Sequence, residues 1–262
     1  MGHLHIIRDF HSDAESLERT VRVYIPDAYA KDGETRFGVL YMFDGQNVFN
    51  HPESALWDTW CANTAMEKVS GEGRIPPWIV VGIDHLPNRL EEYSPWDDPA
   101  ANLVGRGRAL TDFILYQLKP FIDKTWRTRP ERQWTAVMGS SMGGLMALYL
   151  AHAHSQVFGR AAGVSASLMK CGGRIFLEWR RKPALWTKLY LDVGTLEKYW
   201  YYDTFLDYVT VTQDFANQLW GLGYAAHELK VAVAEGHFHH EPAWQARLPG
   251  IMSWLLEETK GA

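Results

Sequence analysis

The sequence predicts an α/β protein with a mainly parallel central sheet and helices on both of its faces. Continuous apolar runs, for example residues 37–43 and 78–83, are typical of strands that helices cover on both sides. Segments with apolar residues at helical spacing, such as residues 110–126, alternate with these runs. Because no low-complexity linker divides the 262 residues, we expect a single domain over residues 1–262.

The elements follow one another in a regular order. Predicted strands cover residues 20–26, 37–43, 78–83, 134–138, 160–165, 189–194 and 227–233. Predicted helices cover residues 58–69, 110–126, 144–151, 205–222 and 243–257. Since ligands bind at the carboxyl ends of parallel strands, we expect the loops after residues 43, 138, 193 and 234 to converge.

Composition excludes several classes of function. The net charge is −5, and its 26 basic and 31 acidic residues are interspersed, so no basic stripe predicts nucleic-acid binding. Cys61 and Cys171 can form neither a disulfide framework nor a metal-ligand cluster, and reduced thiols are expected. The first residues lack the pattern of a secretion signal, and no apolar run has membrane-spanning length. These features predict a soluble cytoplasmic protein without a membrane partner.

The most informative motif is Gly139-Ser140-Ser141-Met142-Gly143, which lies between a predicted buried strand and a predicted helix. A G-x-S-x-G sequence in this setting predicts a nucleophile elbow, because only small residues fit two positions either side of a serine on so sharp a turn. The helix that follows directs free N–H groups at the same spot, and the amide of Met142 is the expected first donor of an oxyanion hole. The alternative is a glycine-rich turn in which Ser140 and Ser141 only cap the helix.

A serine nucleophile needs a base, and α/β-hydrolase chain order puts an acid and then a histidine downstream of it. The segment 235–241 offers three histidines, His237, His239 and His240. So tight a histidine cluster could also bind a metal, although no carboxylate or cysteine stands beside it at ligand spacing.

The chain resembles the "putative esterase" family of the α/β-hydrolase fold, which includes enterochelin esterases, feruloyl esterases, S-formylglutathione hydrolases and mycobacterial mycolyltransferases. Four segments carry this resemblance over most of the chain: residues 41–49 (YMFDGQNVF), 80–84 (VVGID), 139–144 with 157–159 (GSSMGG and VFG), and 235–244 (EGHFHHEPAW). Similar proteins keep the catalytic histidine two residues before a Glu and five before a Trp. The resemblance therefore implies His239 as the base, with His237 and His240 as the alternatives.

The resemblance also implies two further site residues. Glu197, just past the strand that ends near Val193, stands where similar esterases have an acid that orients the histidine. Asp192 and then Asp203 are the alternatives. Gln46, in the turn after Asp44-Gly45, is implied as the second oxyanion-hole residue. The alternative is that this segment is an ordinary tight turn between a strand and a helix.

These residues together predict a serine carboxylic-ester hydrolase that acts through an acyl-enzyme on a small or aromatic acyl ester, without a metal or other cofactor. The alternatives are a siderophore trilactone or thioester hydrolase, an acyltransferase of the same fold, or a binding module without catalysis. Residues 95–108 and the aromatic run 199–205 are loop-like candidates for the pocket wall, although simple packing is the commoner role of aromatic residues.

Overall fold

An eight-stranded sheet forms the centre of the computed structural model, which describes residues 2–31, 33–54, 58–201 and 204–258. Its strands are β1 (His3–Ser12), β2 (Leu17–Ile25), β3 (Gly38–Phe43), β4 (Trp78–Ile83), β5 (Thr135–Ser140), β6 (Arg160–Val164), β7 (Lys188–Gly194) and β10 (Leu229–Ala234). Their order in the sheet is β1-β2-β4-β3-β5-β6-β7-β10. From β4 to β10 every pair is parallel, whereas β1 and β2 form an antiparallel edge. The predicted mainly parallel sheet is confirmed.

Helices cover both faces of this sheet. They are α1 (Ala62–Gly71), α2 (Arg89–Glu92), α3 (Gly107–Phe113), α4 (Lys119–Thr125), α5 (Met142–Ala153), α6 (Lys170–Glu178), α7 (Tyr208–Gly221) and α8 (Glu241–Leu255). A π-helical segment, Ile114–Leu118, joins α3 to α4, so the predicted helix at 110–126 is one continuous helical stretch. Short 3₁₀ turns occupy Asp27–Ala30, Gly45–Asn47, Pro99–Ala101 and Arg132–Trp134.

Strand β3 shows how the two faces divide. Val39, Tyr41 and Phe43 belong to the apolar core that includes residues of α3, α5 and α7. Leu40 and Met42 belong to the opposite core, which includes residues of α1 and α8. Because successive strand residues point to opposite faces, a strand covered on both sides must be apolar throughout, as this one is.

Some elements differ from the sequence-based expectations. Strand β1 was not predicted, because it is a half-exposed edge strand in which polar residues interrupt the apolar ones. Helix α6 was not predicted, since its first turn contains left-handed residues at 171–173. The loop expected at 199–205 is wrong: β8 (Lys198–Tyr201) and β9 (Thr204–Asp207) pair as an antiparallel hairpin, whose residues 202–203 lie outside the described part of the chain.

The carboxyl ends of the parallel strands lie along one edge of the sheet, and this edge carries the site. Among the described residues, no helix is long and apolar enough to cross a membrane. Cys61 and Cys171 are not joined by a disulfide bond in the described structure.

Candidate active site

Ser141 occupies a sharp turn between β5 and α5. Its backbone has φ 54° and ψ −120°, a conformation that non-glycine residues rarely adopt. A Cβ atom added to Gly139 would lie 2.5 Å from the carbonyl carbon of Gly143, so strand and helix can approach this closely only because Gly139 has no side chain. The strained serine and the glycine contact are the features of a nucleophile elbow.

The hydroxyl of Ser141 lies within hydrogen-bond distance of a second serine. Its Oγ is 3.0 Å from Ser167 Oγ, which in turn is 3.1 Å from the hydroxyl of Tyr208. Burial raises the pKa of Tyr208, which keeps its hydroxyl protonated. Sequence reasoning missed Ser167 and Tyr208; the position of Ser167 just after β6, the strand beside the nucleophile strand, was the available signal.

A histidine and a buried acid form a close pair. His239 Nδ1 lies 2.8 Å from Glu197 Oε2. The other oxygen, Oε1, accepts hydrogen bonds from the amide of Gly194 and the hydroxyl of Ser165, each at 2.7 Å. Burial opposes ionisation of Glu197, but the hydrogen bonds from His239, Ser165 and Gly194 and the charge of His239 together hold its pKa below the ordinary value. Because Nδ1 donates to this carboxylate, Nε2 is the ring nitrogen left to accept a proton.

Three aromatic rings surround the imidazole of His239. The distance between ring centroids is 4.5 Å to Tyr208, 5.2 Å to the indole of Trp244, which is edge-on, and 6.4 Å to Tyr199 of the β8–β9 hairpin. The predicted aromatic segment therefore contacts the histidine through Tyr199. These contacts limit rotation of the imidazole around the Glu197 hydrogen bond.

Ser141 and His239 line the same cavity, which has a volume of about 340 Å³. Polar and aromatic side chains line the rest of it: Asp44, Asn47, Trp60, His85, Arg89, Ser140, Glu241 and Trp244. The ring centroids of Trp60 and Trp244 lie 5.6 Å apart, and the angle between the two ring planes is 31°. The cavity thus offers both a flat apolar surface and charged groups next to the nucleophile.

The expected oxyanion-hole residues, Gln46 and Met142, lie just past the ends of two neighbouring strands, β3 and β5. Gln46 belongs to the 3₁₀ turn after β3, which follows Asp44 in the left-handed conformation. Arg89 fixes Asp44 with two hydrogen bonds, of 2.5 and 2.7 Å. The side chain of Gln46 accepts a hydrogen bond from the amide of His85, and Met142 is the first residue of α5, where a helix has no internal partner for its amide.

The alternative acids and bases have other surroundings. Asp192 is fully buried in β7 and lies near Arg247, with its Oδ1 3.3 Å from the amide of Ser165. Asp203 lies outside the described residues. His240 caps α8 by accepting a hydrogen bond from the amide of Ala243. His237 has no hydrogen bond to its buried Nδ1 within the described structure.

Two observations favour this cavity over other candidate sites. Among the described residues, no three His, Cys, Asp or Glu side chains are grouped so that they could hold a metal ion. A larger cavity of about 400 Å³ lies between the β1–β2 turn and residues 86–92 and 106–109, and the residues that line it include no serine, cysteine or histidine. The cavity at the carboxyl edge of the sheet, by contrast, is lined by both Ser141 and His239.

Comparisons with known proteins show the family of the chain. The model of a family described as "Putative esterase" matches residues 12–255. An uncharacterized protein of Bacillus subtilis, YbbA, is 23% identical over 259 residues, which cover 95% of this chain and 97% of the relative. The iron(III) salmochelin esterase of Escherichia coli is 32% identical over 155 residues, but this match covers 57% of this chain and 32% of the relative.

Solved structures agree on the fold. The CE1 ferulic acid esterase of the anaerobic fungus Anaeromyces mucronatus superposes with a TM-score of 0.70 at 17% identity, covering 97% of this chain and 90% of the other. The predicted α/β-hydrolase fold is therefore confirmed.

Proposed function

Since this chain belongs to the "Putative esterase" family and is an esterase, we propose that it is a serine carboxylic-ester hydrolase that acts through an acyl-enzyme. The observation that carries the proposal is the strained Ser141 in one cavity with His239, whose Nδ1 is hydrogen-bonded to the buried Glu197. Proton transfer requires Ser141 Oγ to come within hydrogen-bond reach of His239 Nε2, whereas in the described structure this hydroxyl lies 3.0 Å from Ser167 Oγ. The acid fixes which ring nitrogen accepts the proton.

In the proposed reaction, Ser141 Oγ attacks the ester carbonyl while His239 Nε2 takes its proton. Glu197 stabilises the resulting imidazolium. The amides of Gln46 and Met142 bind the oxyanion of the tetrahedral intermediate. The histidine then gives its proton to the leaving alcohol. Water next attacks the acyl group while His239 takes a proton from it, and that proton returns to Ser141 Oγ as the acid product leaves. These steps use no metal and no cofactor.

The proposed substrate is a small or aromatic acyl ester. Its support is the size of the cavity, about 340 Å³, and the paired indoles of Trp60 and Trp244, which suit a flat ring. A structural neighbour is a ferulic acid esterase, an enzyme named for an aromatic acid.

A second candidate substrate class is the siderophore lactone, with thioesters and acyl transfer to an alcohol as further reactions of the same site. It is favoured by the match of 32% identity to an iron(III) salmochelin esterase, although the chain spans about a third of that relative. Hydrolysis rates on aryl esters of increasing acyl length, a feruloyl ester and a catechol-bearing lactone separate the two candidates.

The test of the proposed mechanism is the variant Ser141→Ala. We expect it to fold as the wild type does and to hydrolyse an activated aryl ester at least about 10³-fold more slowly. Ser70→Ala is the matched control, because Ser70 lies in α1 and its hydroxyl bonds only to carbonyls of its own helix, Met66 and Glu67. Undiminished turnover by Ser141→Ala would refute the proposal.

A further inference from the structure

Behind the His239–Glu197 pair, the buried hydroxyl of Ser165 lies within hydrogen-bond distance of three other side chains. Ser165 directly follows β6, is 0% exposed and has φ 45°, a left-handed backbone that serine seldom adopts. Its Oγ lies 2.7 Å from Glu197 Oε1, 3.0 Å from Trp244 Nε1 and 2.9 Å from Arg247 Nη2. A buried hydroxyl with three partners has every hydrogen-bonding position in use.

The chemistry of these partners fixes the direction of each hydrogen bond. The indole of Trp244 and the guanidinium of Arg247 can only donate, so they occupy the two lone pairs of the Ser165 oxygen. The one hydroxyl proton must then point at Glu197 Oε1. Since the amide of Gly194 also donates to that oxygen, Glu197 keeps only Oε2 for His239.

Arg247 adds a positive charge at the same place. Its side chain is 7% exposed, and it lies 3.6 Å from Glu197 Oε1 and 3.5 Å from Asp192 Oδ2. The titratable groups that face it are Asp192 and Tyr190 of β7 and Glu197 after that strand. One buried cation thus lies close to two buried carboxylates and favours their ionised forms, against the cost of burying a charge.

We infer that Ser165 is a positioning residue: Trp244 and Arg247 of helix α8 orient its hydroxyl, and that hydroxyl holds the carboxylate of Glu197 ionised and aimed at His239. The inference rests on the proposed function for its effect on catalysis, but not for its effect on Glu197. Trp244 and Arg247 stand one helical turn apart on α8, which begins two residues after His239. The helix that follows the histidine therefore also fixes the acid that orients it.

The first test is the titration of the Glu197 carboxyl by ¹³C NMR, which requires no activity. In Ser165→Ala and Arg247→Met, the pKa of Glu197 is expected to rise by about one pH unit, because each variant removes a group that stabilises the ionised form. Arg247→Lys should bring the pKa back toward that of the wild type. Ser155→Ala is the matched control, since Ser155 is equally buried but bonds to the amide of Leu185.

The second test is the pH profile of aryl-ester hydrolysis. Ser165→Ala should lower kcat about tenfold with KM little changed, and the acid limb of the profile should move to higher pH. If Ser165→Ala does not fold, Trp244→Phe removes one donor to Ser165 and keeps an aromatic ring. A folded variant with an unmoved Glu197 titration and an unmoved acid limb overturns the inference. An inactive wild type would instead refute the proposed function, and the NMR titration would still decide the role of Ser165.

Discussion

One hydrogen bond, from His239 Nδ1 to Glu197 Oε2, decides which ring nitrogen of the histidine can take a proton. Ser141 could be predicted from the elbow motif, because that turn demands glycines at fixed positions. The choice of His239 and Glu197 came from resemblance, and their roles stay predictions. Ser165 and Tyr208 could not be found from the sequence, since contacts between distant strands and helices set their positions. For Ser167, the place just after β6 was the available signal.

At this scale, Glu197→Gln and Asp192→Asn distinguish the two described candidates for the acid. In Glu197→Gln, the hydroxyl of Ser165 and the amide of Gly194 both donate, so the side-chain oxygen of the glutamine must face them and its NH₂ group must face His239. That NH₂ group donates to Nδ1 of the histidine, which places the ring proton on Nε2, the nitrogen that has to accept a proton. We expect kcat to fall about 10²- to 10⁴-fold in Glu197→Gln and less than about tenfold in Asp192→Asn. Steady-state kinetics on an aryl ester measure both. A larger loss in Asp192→Asn would assign the acid to β7.

Two of the elements at the site, the elbow between β5 and α5 and the hairpin β8–β9, differ in how well the sequence predicts them. Strands buried on both faces, such as β3 and β4, could be predicted because their apolar runs have few alternatives. The hairpin was missed because its residues Trp200 and Phe205 are exposed, 69% and 49%, and no alternation marks them as half-buried strands. Within the described residues, β8 and β9 pair with each other and with no strand of the central sheet.

The close contact between Gly139 and Gly143 in the elbow can be tested by its effect on stability. Gly139→Ala should lower the free energy of unfolding by about 3 kcal/mol, because the new methyl group meets the Gly143 backbone at 2.5 Å and the helix must move. Gly71→Ala is the control: its Cβ meets open space at the end of α1, and the change should stabilise the protein by about 0.5–1 kcal/mol. Urea unfolding measures both. Equal effects of the two changes would contradict the close contact.

For the whole molecule, two buried carboxylates, Asp192 in β7 and Glu197 just after it, link the free energy of unfolding to pH. Burial raises the pKa of Asp192 to about 7, although Arg247 and the amide of Ser165 oppose this. The folded protein therefore binds this proton more tightly than the unfolded chain does. Asp192 thus reduces stability progressively as the pH rises from about 4 to about 7. Glu197 has the opposite effect on the free energy of unfolding, because its lowered pKa adds stability at higher pH that is lost on acidification.

Asp192→Asn should remove this penalty. Compared with the wild type, the variant should gain up to about 1.4 kcal/mol of unfolding free energy for each pH unit between pH 4 and pH 7. Urea unfolding across that range gives the difference. Asp214→Asn, at an exposed position of α7, is the control. A difference between variant and wild type that does not change with pH would show that Asp192 is ionised throughout.

The central claim is that Ser141 becomes a nucleophile because His239 takes its proton. The most direct measurement is mass spectrometry of the protein after reaction with a fluorophosphonate, with the modified peptide mapped, in the wild type and in His239→Ala. The account predicts one adduct, on Ser141, that forms rapidly in the wild type and at least about 10²-fold more slowly in His239→Ala. An adduct on another residue, or equal labelling rates in both proteins, would contradict it.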